Sequence, residues 1–254
     1  MLPVRPKKQL GQHFLNDANI ARKIAESLRC ASESSTIVEI GPGSGFLTQF
    51  LLEYQSRLLL IETDRESVDY LNERFLPLKE NILHCDVLKV NLSDLSDQPV
   101  SVIGNMPYNI SGPLLFMALD QREMINEWVG MLQKEVADRI VAKPSSKAYG
   151  IPSVLLQAYF DIELLFNVPP SVFIPPPKVN SAVVRLVPKK SDFPACDYNK
   201  LKILVKTAFN QRRKTMRNSL KSLLSPEILS APLFTRRPEE LAWQEFEEMM
   251  KFLD

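Results

Sequence analysis

The feature that most constrains this chain is a glycine-rich turn directly after an apolar run, Val38-Glu39-Ile40-Gly41-Pro42-Gly43-Ser44-Gly45. The residues before Gly41 predict a buried strand, and those after Gly45 predict the start of a helix. Glycine lets a backbone turn sharply and approach a ligand where a Cβ would collide, and a helix N-terminus presents free N–H groups. The stretch therefore predicts a nucleotide-binding turn, although a plain strand-to-helix loop has the same residue types.

The spacing of the glycines argues against a dinucleotide. In the dinucleotide fingerprint G-x-G-x-x-G the third glycine comes one position later than Gly45, and Phe46 stands where a small residue normally lets helix and strand pack closely. The next apolar run, 57–62, ends in Glu62, a carboxylate positioned as a bidentate acceptor for the two hydroxyls of a ribose. A ribose without a pyrophosphate indicates S-adenosylmethionine.

Predicted strands alternate with predicted helices, which indicates an α/β protein. The predicted strands are 36–40, 57–62, 81–85, 100–104 and 128–133. One predicted helix begins at Gly45, and the other predicted helices cover 64–75, 111–119, 134–143 and 154–160. Such alternation predicts a parallel, doubly wound sheet whose ligands bind at the carboxyl ends of the strands. Asp86 and Asn105 follow strands at this edge. Asp86 can accept a hydrogen bond from an adenine amine or cap a helix.

The second half of the chain closes the sheet and then changes character. Segments 163–168 and 181–187 predict an antiparallel pair, which brings the sheet to seven strands. A polar break over 188–194 predicts the domain boundary. We therefore expect a catalytic domain over 1–188 and a small all-α domain over 189–254.

The segment Asn105-Met106-Pro107-Tyr108 carries the predicted chemistry. Pro107 fixes its own φ and holds Met106 extended. The amide oxygen of Asn105 and a neighbouring main-chain carbonyl then offer two acceptors to a planar amine, and Tyr108 offers a face to a base. Two accepted hydrogen bonds favour a pyramidal amine whose lone pair faces a methyl donor. A turn with a buried tyrosine has the same residues, but after the glycine turn and Glu62 we expect methyl transfer to a nucleobase, without a metal.

Two later segments are candidates for RNA contact. The loop 169–177 contains five prolines and carries Phe173, which could clamp the second face of a flipped base or could fill the core. Residues 201–226 include basic side chains and no acidic one, whereas a solvated face usually alternates in sign. This run predicts contacts with RNA phosphates. The predicted RNA-binding residues are Arg212, Arg213, Lys214, Arg217 and Lys221.

Several motifs resemble the ribosomal RNA adenine N6,N6-dimethyltransferases. They include Gly11-Gln12-His13-Phe14-Leu15, Glu39-Ile40-Gly41-Pro42-Gly43, Asn105-Met106-Pro107-Tyr108-Asn109, Phe173-Ile174-Pro175-Pro176-Pro177-Lys178-Val179 and Ala208-Phe209-Asn210-Gln211-Arg212-Arg213-Lys214. The resemblance covers residues 7 to 221 and is strongest to the bacterial enzymes of the small subunit. It implies a Rossmann-like class I S-adenosylmethionine-dependent methyltransferase fold. It also implies dimethylation of two adjacent adenines near the 3′ end of 16S rRNA during subunit assembly.

The resemblance also implies roles for individual residues. By matching position, cofactor contacts are expected at His13, Leu15, Gly41, Glu62, Asp86 and Asn105, to which the glycine turn adds Gly43. The catalytic group is expected to comprise Asn105, Met106, Pro107, Tyr108 and Phe173. The family usually has leucine at position 106 and often asparagine at position 13. Neither change removes a side-chain acceptor, so we expect activity to be retained.

Two alternatives share these features. A 23S rRNA adenine N6-methyltransferase of the antibiotic-resistance type has the same motifs, although the blocks 173–179 and 208–214 favour the small-subunit enzyme. A ribosome assembly factor whose main role is binding the immature subunit would also need the basic run. Asn105 separates the enzyme from the binding factor, because only the enzyme requires its amide.

The remaining expectations concern location and assembly. No apolar run approaches the roughly 20 residues of a membrane span, and residues 1–8 lack the apolar core of a signal peptide. Cys30, Cys85 and Cys196 have no metal-ligand spacing and suit a reducing compartment. We therefore expect a cytoplasmic monomer without membrane or metal, whose partner is 16S rRNA in the small subunit or its precursor.

Overall fold

Nine strands organise the first part of the chain. The computed structural model describes residues 3–30 and 36–253 of the 254. The strands are β1 (Phe14–Leu15), β2 (Thr36–Ile40), β3 (Arg57–Glu62), β4 (Ile82–His84), β5 (Val100–Asn105), β6 (Ile125–Gln133), β7 (Phe160–Val168), β8 (Phe173–Ile174) and β9 (Ser181–Pro188). In this part of the chain they form a seven-stranded sheet of order β4-β3-β2-β5-β6-β9-β7 and a separate β1-β8 pair.

The sheet is parallel from β4 to β6, and β9 then runs antiparallel to β6. This confirms the predicted α/β sheet with a reversed end. The strand β2 is buried at every position, and Ile37, Leu60 and Ile103 are fully inaccessible. A parallel sheet covered on both faces requires such continuous apolar strands. Ile24 and Phe75 pack against them from the helical layers.

The α-helices are α1 (Ala18–Ala25), α2 (Thr48–Leu51), α3 (Arg65–Arg74), α4 (Ser111–Asp120), α5 (Lys134–Ile140), α6 (Ile151–Tyr159), α7 (Tyr198–Asn210), α8 (Met216–Ser219), α9 (Pro226–Leu229) and α10 (Trp243–Met250). The first begins at Ala18 because the Asp17 carboxylate accepts hydrogen bonds from the N–H groups of Asn19 and Ile20, at 2.9 and 3.0 Å.

The helix predicted to begin at Gly45 is wrong in its start and length. Residues 43–47 form turns, and α2 covers only four residues from Thr48. Gly41, Gly43 and Gly45 have φ values of 65°, 55° and 71°, which belong to the left-handed region and cannot continue a right-handed helix. The glycine turn therefore presents backbone loops, and not the end of a long helix, to a ligand.

A buried ion pair lies between β6 and β9. Arg185 Nε is 3.7 Å from Glu127 Oε2, and both side chains are at most 5% exposed. Arg185 also donates hydrogen bonds to the carbonyl of Ser27 and, at 2.8 Å, to Glu163 Oε2. Glu127 in turn accepts from the main-chain N–H groups of residues 29–30, at 3.1 and 2.6 Å. The pair ties the end of the first helical segment to the sheet.

The chain divides into two compact units, residues 1–137 with 163–188 and residues 138–162 with 189–254. The predicted boundary at 188 coincides with the position at which the chain leaves the first unit for the last time. Residues 138–162, which the sequence grouped with the first domain, belong to the second unit. In that unit α6, α7 and α10 pack together around Phe209 and Phe246, whose rings stack at 6.2 Å. The outer ends of the predicted domains, residues 1–2 and 254, lie outside the described residues.

None of the described helices has the length and hydrophobicity that a membrane span requires. In the same residues no group of three or more histidine, cysteine, aspartate or glutamate side chains has an arrangement suited to a metal ion.

Candidate active site

The carboxyl ends of four neighbouring parallel strands bring the predicted residues together. Gly41 follows β2, Glu62 ends β3, Asp86 follows β4 and Asn105 ends β5. The Gly41 N–H donates to the Ile61 carbonyl at 2.9 Å, which fixes the start of the turn against β3. All four residues therefore lie along one edge of the sheet, as ligand sites of open α/β sheets do.

The glycine turn can be built only with glycine at its centre. Gly43 has a φ of 55°, and a Cβ built on it would lie 2.6 Å from Phe14 Cε1. Gly41 has a φ of 65°, and its Cβ would lie 3.5 Å from Pro107 Cγ. A side chain at position 43 would therefore displace the Phe14 ring as well as strain the backbone. Gly41 is half-buried and Gly43 is buried, so Gly41 exposes more of its main chain to a ligand.

Replacing Gly43 with alanine should lower the free energy of unfolding by about 1–3 kcal/mol, because alanine is strained at this φ and collides with Phe14. It should also weaken cofactor binding. The matched control is Gly112→Ala in α4, whose added Cβ meets nothing within 4 Å. That change should raise the free energy of unfolding by about 0.5–1 kcal/mol. If urea unfolding showed the same change in the free energy of unfolding for both substitutions, the requirement for glycine at position 43 would be contradicted.

Glu62 is held by the turn it faces. Its Oε2 accepts from the Gly43 N–H at 3.0 Å, and its Oε1 accepts from the N–H groups of Thr63 and Asp64, both at 2.8 Å. A carboxylate has about four acceptor positions, so Oε1 is saturated and Oε2 can accept one more hydrogen bond. The bidentate contact with two ribose hydroxyls stays a prediction, for which Oε2 has one acceptor position free in this conformation. Burial raises the pKa of Glu62.

Glu39, one strand inward, is a second buried carboxyl group. It is 1% exposed, and its Oε2 accepts from the Thr48 hydroxyl at 2.7 Å. Burial raises the pKa of Glu39 to about 8, and the charge of Glu62 adds to this effect. The folded protein therefore holds a proton on Glu39 at pH values at which the unfolded chain has lost it.

This raised pKa predicts that stability falls as pH rises from about 4.5 to about 8, because the folded state binds more protons than the unfolded state in that window. One such group contributes a slope of at most about 1.4 kcal/mol per pH unit. Glu39→Gln keeps an acceptor for Thr48 and removes the titration, so its free energy of unfolding should change less between pH 5 and pH 8 than that of the wild type. Identical pH profiles from urea unfolding would contradict the prediction.

The N-terminal arm, residues 3–15, lies against this edge. The Lys7 ammonium forms an ion pair with Asp64, and β1 pairs with β8 through Phe14↔Ile174 and Leu15↔Phe173. The Leu15 side chain is 4% exposed and packs in the core. Only the main chain of Leu15 can therefore contact a cofactor.

Asp86 is a cap and still has an oxygen free for a ligand. Its Oδ1 accepts from the Leu88 N–H at 3.1 Å and so caps a short 3₁₀ turn, while the side chain is exposed. The second carboxylate oxygen carries no hydrogen bond in the described part of the chain. It is available to an adenine amine.

The Asn105 segment presents two acceptors. The Asn105 Nδ2 donates to the His13 carbonyl at 2.8 Å, and since a carbonyl can only accept, Oδ1 is the atom left for a ligand. The Pro107 carbonyl accepts from the Ile110 N–H at 3.1 Å. The Met106 carbonyl accepts no hydrogen bond from residues 3–30 or 36–253. The Met106 carbonyl is therefore the candidate for the second acceptor, a choice that the sequence left open. The whole Met106 residue, its carbonyl included, is inaccessible to solvent, so this carbonyl is a buried acceptor without a donor among the described residues.

Tyr108 is fixed at its hydroxyl and on its ring. The hydroxyl lies 2.5 Å from Ser181 Oγ, and burial raises the pKa of Tyr108. Its ring centroid is 5.2 Å from that of His13, with the planes inclined by 31°. Sequence reasoning missed Ser181, because no motif links it to a residue 73 positions earlier.

Phe173 is placed differently from the predicted base clamp. It is 2% exposed and belongs to the core cluster that includes Leu15 and Val183. The ring therefore fills the core, which is the second of the two interpretations of this residue. The reason is the β1-β8 pairing, which turns Phe173 inward and leaves the neighbouring Ile174 40% exposed.

The predicted RNA-binding residues separate into two groups within the second unit. Arg212 donates to the carbonyl of Lys147 at 3.1 Å, and Arg217 donates to the carbonyls of Leu229 and Ser230 at 2.8 and 3.1 Å. Both guanidinium groups thus bind main chain of their own unit. Arg213, Lys214 and Lys221 are exposed, and their side chains make no hydrogen bond with the described residues, so a contact with RNA phosphates stays a prediction for them.

The sheet order, the left-handed glycine turn and the acidic end of β3 define a Rossmann-like methyltransferase. A family model described as ribosomal RNA adenine dimethylase matches residues 4–253. The chain belongs to that family, and its cofactor is S-adenosylmethionine. The residues present fit this cofactor, because Gly41 keeps part of its backbone exposed while Glu62 and Asp86 each retain an acceptor.

Individual relatives agree with this membership. The chain is 51% identical to a ribosomal RNA small subunit methyltransferase A of Parabacteroides distasonis over 97% of this chain and 93% of the relative. It is 48% identical to the protein of that name in Cytophaga hutchinsonii over 100% and 99%. Among solved structures, a dimethyladenosine transferase from Plasmodium falciparum matches with a TM-score of 0.80 and 25% identity over 94% and 97%. The 23S rRNA methyltransferase ErmE shares the fold, with a TM-score of 0.66 and 24% identity over 94% and 99%.

Proposed function

We propose that this protein dimethylates N6 of two adjacent adenines near the 3′ end of 16S rRNA during assembly of the small ribosomal subunit. The observation that carries the proposal is the pair of acceptors without a donor among the described residues, Asn105 Oδ1 and the Met106 carbonyl, beside the Tyr108 ring and the glycine turn. The first unit is the catalytic part and the second unit binds RNA. The protein acts as a cytoplasmic monomer on the small subunit or its precursor.

The residues of the site act on the amine and not through a strong base. When bound, S-adenosylmethionine supplies a methyl group on a positively charged sulfur, which leaves as a neutral thioether. In the first transfer Asn105 Oδ1 and the Met106 carbonyl accept the two N6 hydrogen atoms and so turn the nitrogen lone pair toward that methyl group. In the second transfer N6-methyladenine has one N6 hydrogen atom left, and one of the two oxygen atoms accepts it. Tyr108 provides the face on which the flipped adenine stacks. After methyl transfer the nitrogen is cationic, and its proton passes to water.

The test is incubation of the protein with labelled S-adenosylmethionine and, in separate reactions, small and large subunits from a strain that lacks the modification, followed by nucleoside analysis. We expect N6,N6-dimethyladenosine in 16S rRNA. Dimethyladenosine in 23S rRNA instead would favour the antibiotic-resistance type of activity. RNA retention without any methylated nucleoside would favour the assembly factor.

The exposed basic residues of the second unit give a separate prediction. Replacing Arg213, Lys214 and Lys221 together with alanine should weaken RNA binding and reduce the slope of log K against log salt by about 2, because each phosphate contact contributes about 0.7 to 1. Arg217→Ala should mainly lower the free energy of unfolding, by about 0.5–1.5 kcal/mol, since it removes two hydrogen bonds to main-chain carbonyls. Filter binding over a salt series checks the first statement, and an unchanged slope would contradict it.

A further inference from the structure

The His13 carbonyl determines which atom of Asn105 faces the acceptor site. It receives the Asn105 Nδ2 donor at 2.8 Å. If Asn105 were rotated by half a turn, two oxygen atoms would meet, which is unfavourable. The amide orientation that methyl transfer requires is thus imposed by a residue 92 positions earlier in the chain.

The His13 side chain holds that carbonyl in place. Its Nδ1 lies 2.7 Å from the Pro175 carbonyl, which can only accept, so Nδ1 carries the hydrogen atom and donates it. The same ring lies against Tyr108 at 5.2 Å. Since Phe173 is turned into the core, the imidazole is the aromatic neighbour that supports Tyr108. One residue therefore contacts both Asn105 and Tyr108.

The backbone around His13 is adapted to this contact. Gly11 has a φ of 62°, and a Cβ built there would lie 2.8 Å from Asn109 Oδ1. The arm can therefore approach the Asn105–Asn109 segment only because position 11 has no side chain. The arm and this segment form one packed assembly around the two acceptors.

We propose that His13 is a positioning residue for the methyl acceptor, acting through Asn105 and Tyr108, in addition to any contact it makes with the cofactor. This inference rests on the proposed methyl transfer to adenine. Loss of the side chain frees the arm from Pro175, so the His13 carbonyl no longer fixes the amide and the Tyr108 ring loses its support. The chemical step is slowed, and saturating cofactor does not restore it.

The test compares His13→Ala, His13→Asn and wild-type protein in single turnovers on unmethylated small subunits, with S-adenosylmethionine saturating for each protein as measured by calorimetry. We expect His13→Ala to react about tenfold more slowly or worse. His13→Asn keeps an N–H donor for Pro175 and should recover most of the rate. The matched control is His84→Ala, which removes the other histidine, whose Nε2 lies 3.3 Å from the Thr63 carbonyl. Its rate should equal that of the wild type.

A His13→Ala rate equal to the wild-type rate at saturating cofactor would overturn the proposal, whatever happens to the cofactor affinity. A slow His13→Asn variant with an unchanged thermal midpoint would overturn the role of the Pro175 hydrogen bond and with it the proposal. Failure of the proposed function is distinguishable, because the wild-type protein itself would then leave small subunits unmethylated.

Discussion

Replacing Asn105 with alanine should lower the rate of methyl transfer about 10²–10³-fold, the usual effect of removing one oriented hydrogen-bonding group from a reacting centre. The Met106 carbonyl alone cannot hold both hydrogen atoms of the amine, and the His13 carbonyl loses its donor. Binding of small-subunit RNA should be unchanged, because Asn105 lies in the first unit and the basic residues lie in the second. Single-turnover rates and filter binding measure the two quantities.

The matched control for Asn105 is Asn91→Ala. Asn91 is exposed, and its side chain makes no capping hydrogen bond. We expect this variant to keep the wild-type rate. An Asn105→Ala variant that methylates within about threefold of wild type would contradict the acceptor role of the amide. If the variant were inactive but still supported normal subunit assembly, binding would be the primary role of the protein.

Replacing Arg185 with methionine should lower the free energy of unfolding by about 3–5 kcal/mol, because Glu127 would be left as a buried charge without its cation. The Ser27 carbonyl would also lose its donor. Urea unfolding at neutral pH measures the change. The control is Arg65→Ala, whose ion pair with Asp69 is 72% and 55% exposed and should contribute at most about 0.5 kcal/mol.

The double variant Arg185→Met, Glu127→Leu tests the cause of this destabilisation. If the loss comes from the unpaired carboxylate, removing that carboxylate as well should recover part of the stability. A double variant less stable than the sum of the single changes would contradict this explanation. The recovery of stability should be incomplete, because Glu127→Leu also removes the carboxylate that accepts hydrogen bonds from the main-chain N–H groups of residues 29–30.

Two strands could be predicted to the residue because local patterns determine them. The runs 36–40 and 57–62 were predicted with the bounds that the structure has, since each is a continuous apolar stretch that ends at a glycine or a carboxylate. The convergence of Gly41, Glu62 and Asn105 follows from the parallel sheet alone. The helix after Gly45 was mispredicted, because sequence periodicity does not reveal three successive left-handed glycines.

The details that sequence reasoning missed depend on contacts between distant segments. Phe173 lies in a proline-rich loop whose exposure is decided by its pairing with the N-terminal arm. Arg217 belongs to a basic run, yet its guanidinium binds carbonyls 12 and 13 positions away. A run of like charges predicts an exposed surface, but it does not show which of its side chains donate hydrogen bonds to the protein's own main chain.

The central claim is that two oxygen atoms, Asn105 Oδ1 and the Met106 carbonyl, hold the adenine amine beside the methyl donor. The most direct measurement is a crystal structure of the protein with a non-reactive S-adenosylmethionine analogue and an RNA fragment that carries the target adenine. We predict both oxygen atoms within about 3.2 Å of N6, with the base stacked on Tyr108 and the analogue on the glycine turn. An adenine whose N6 lies beyond hydrogen-bonding distance of both oxygen atoms while the analogue is bound would contradict the account.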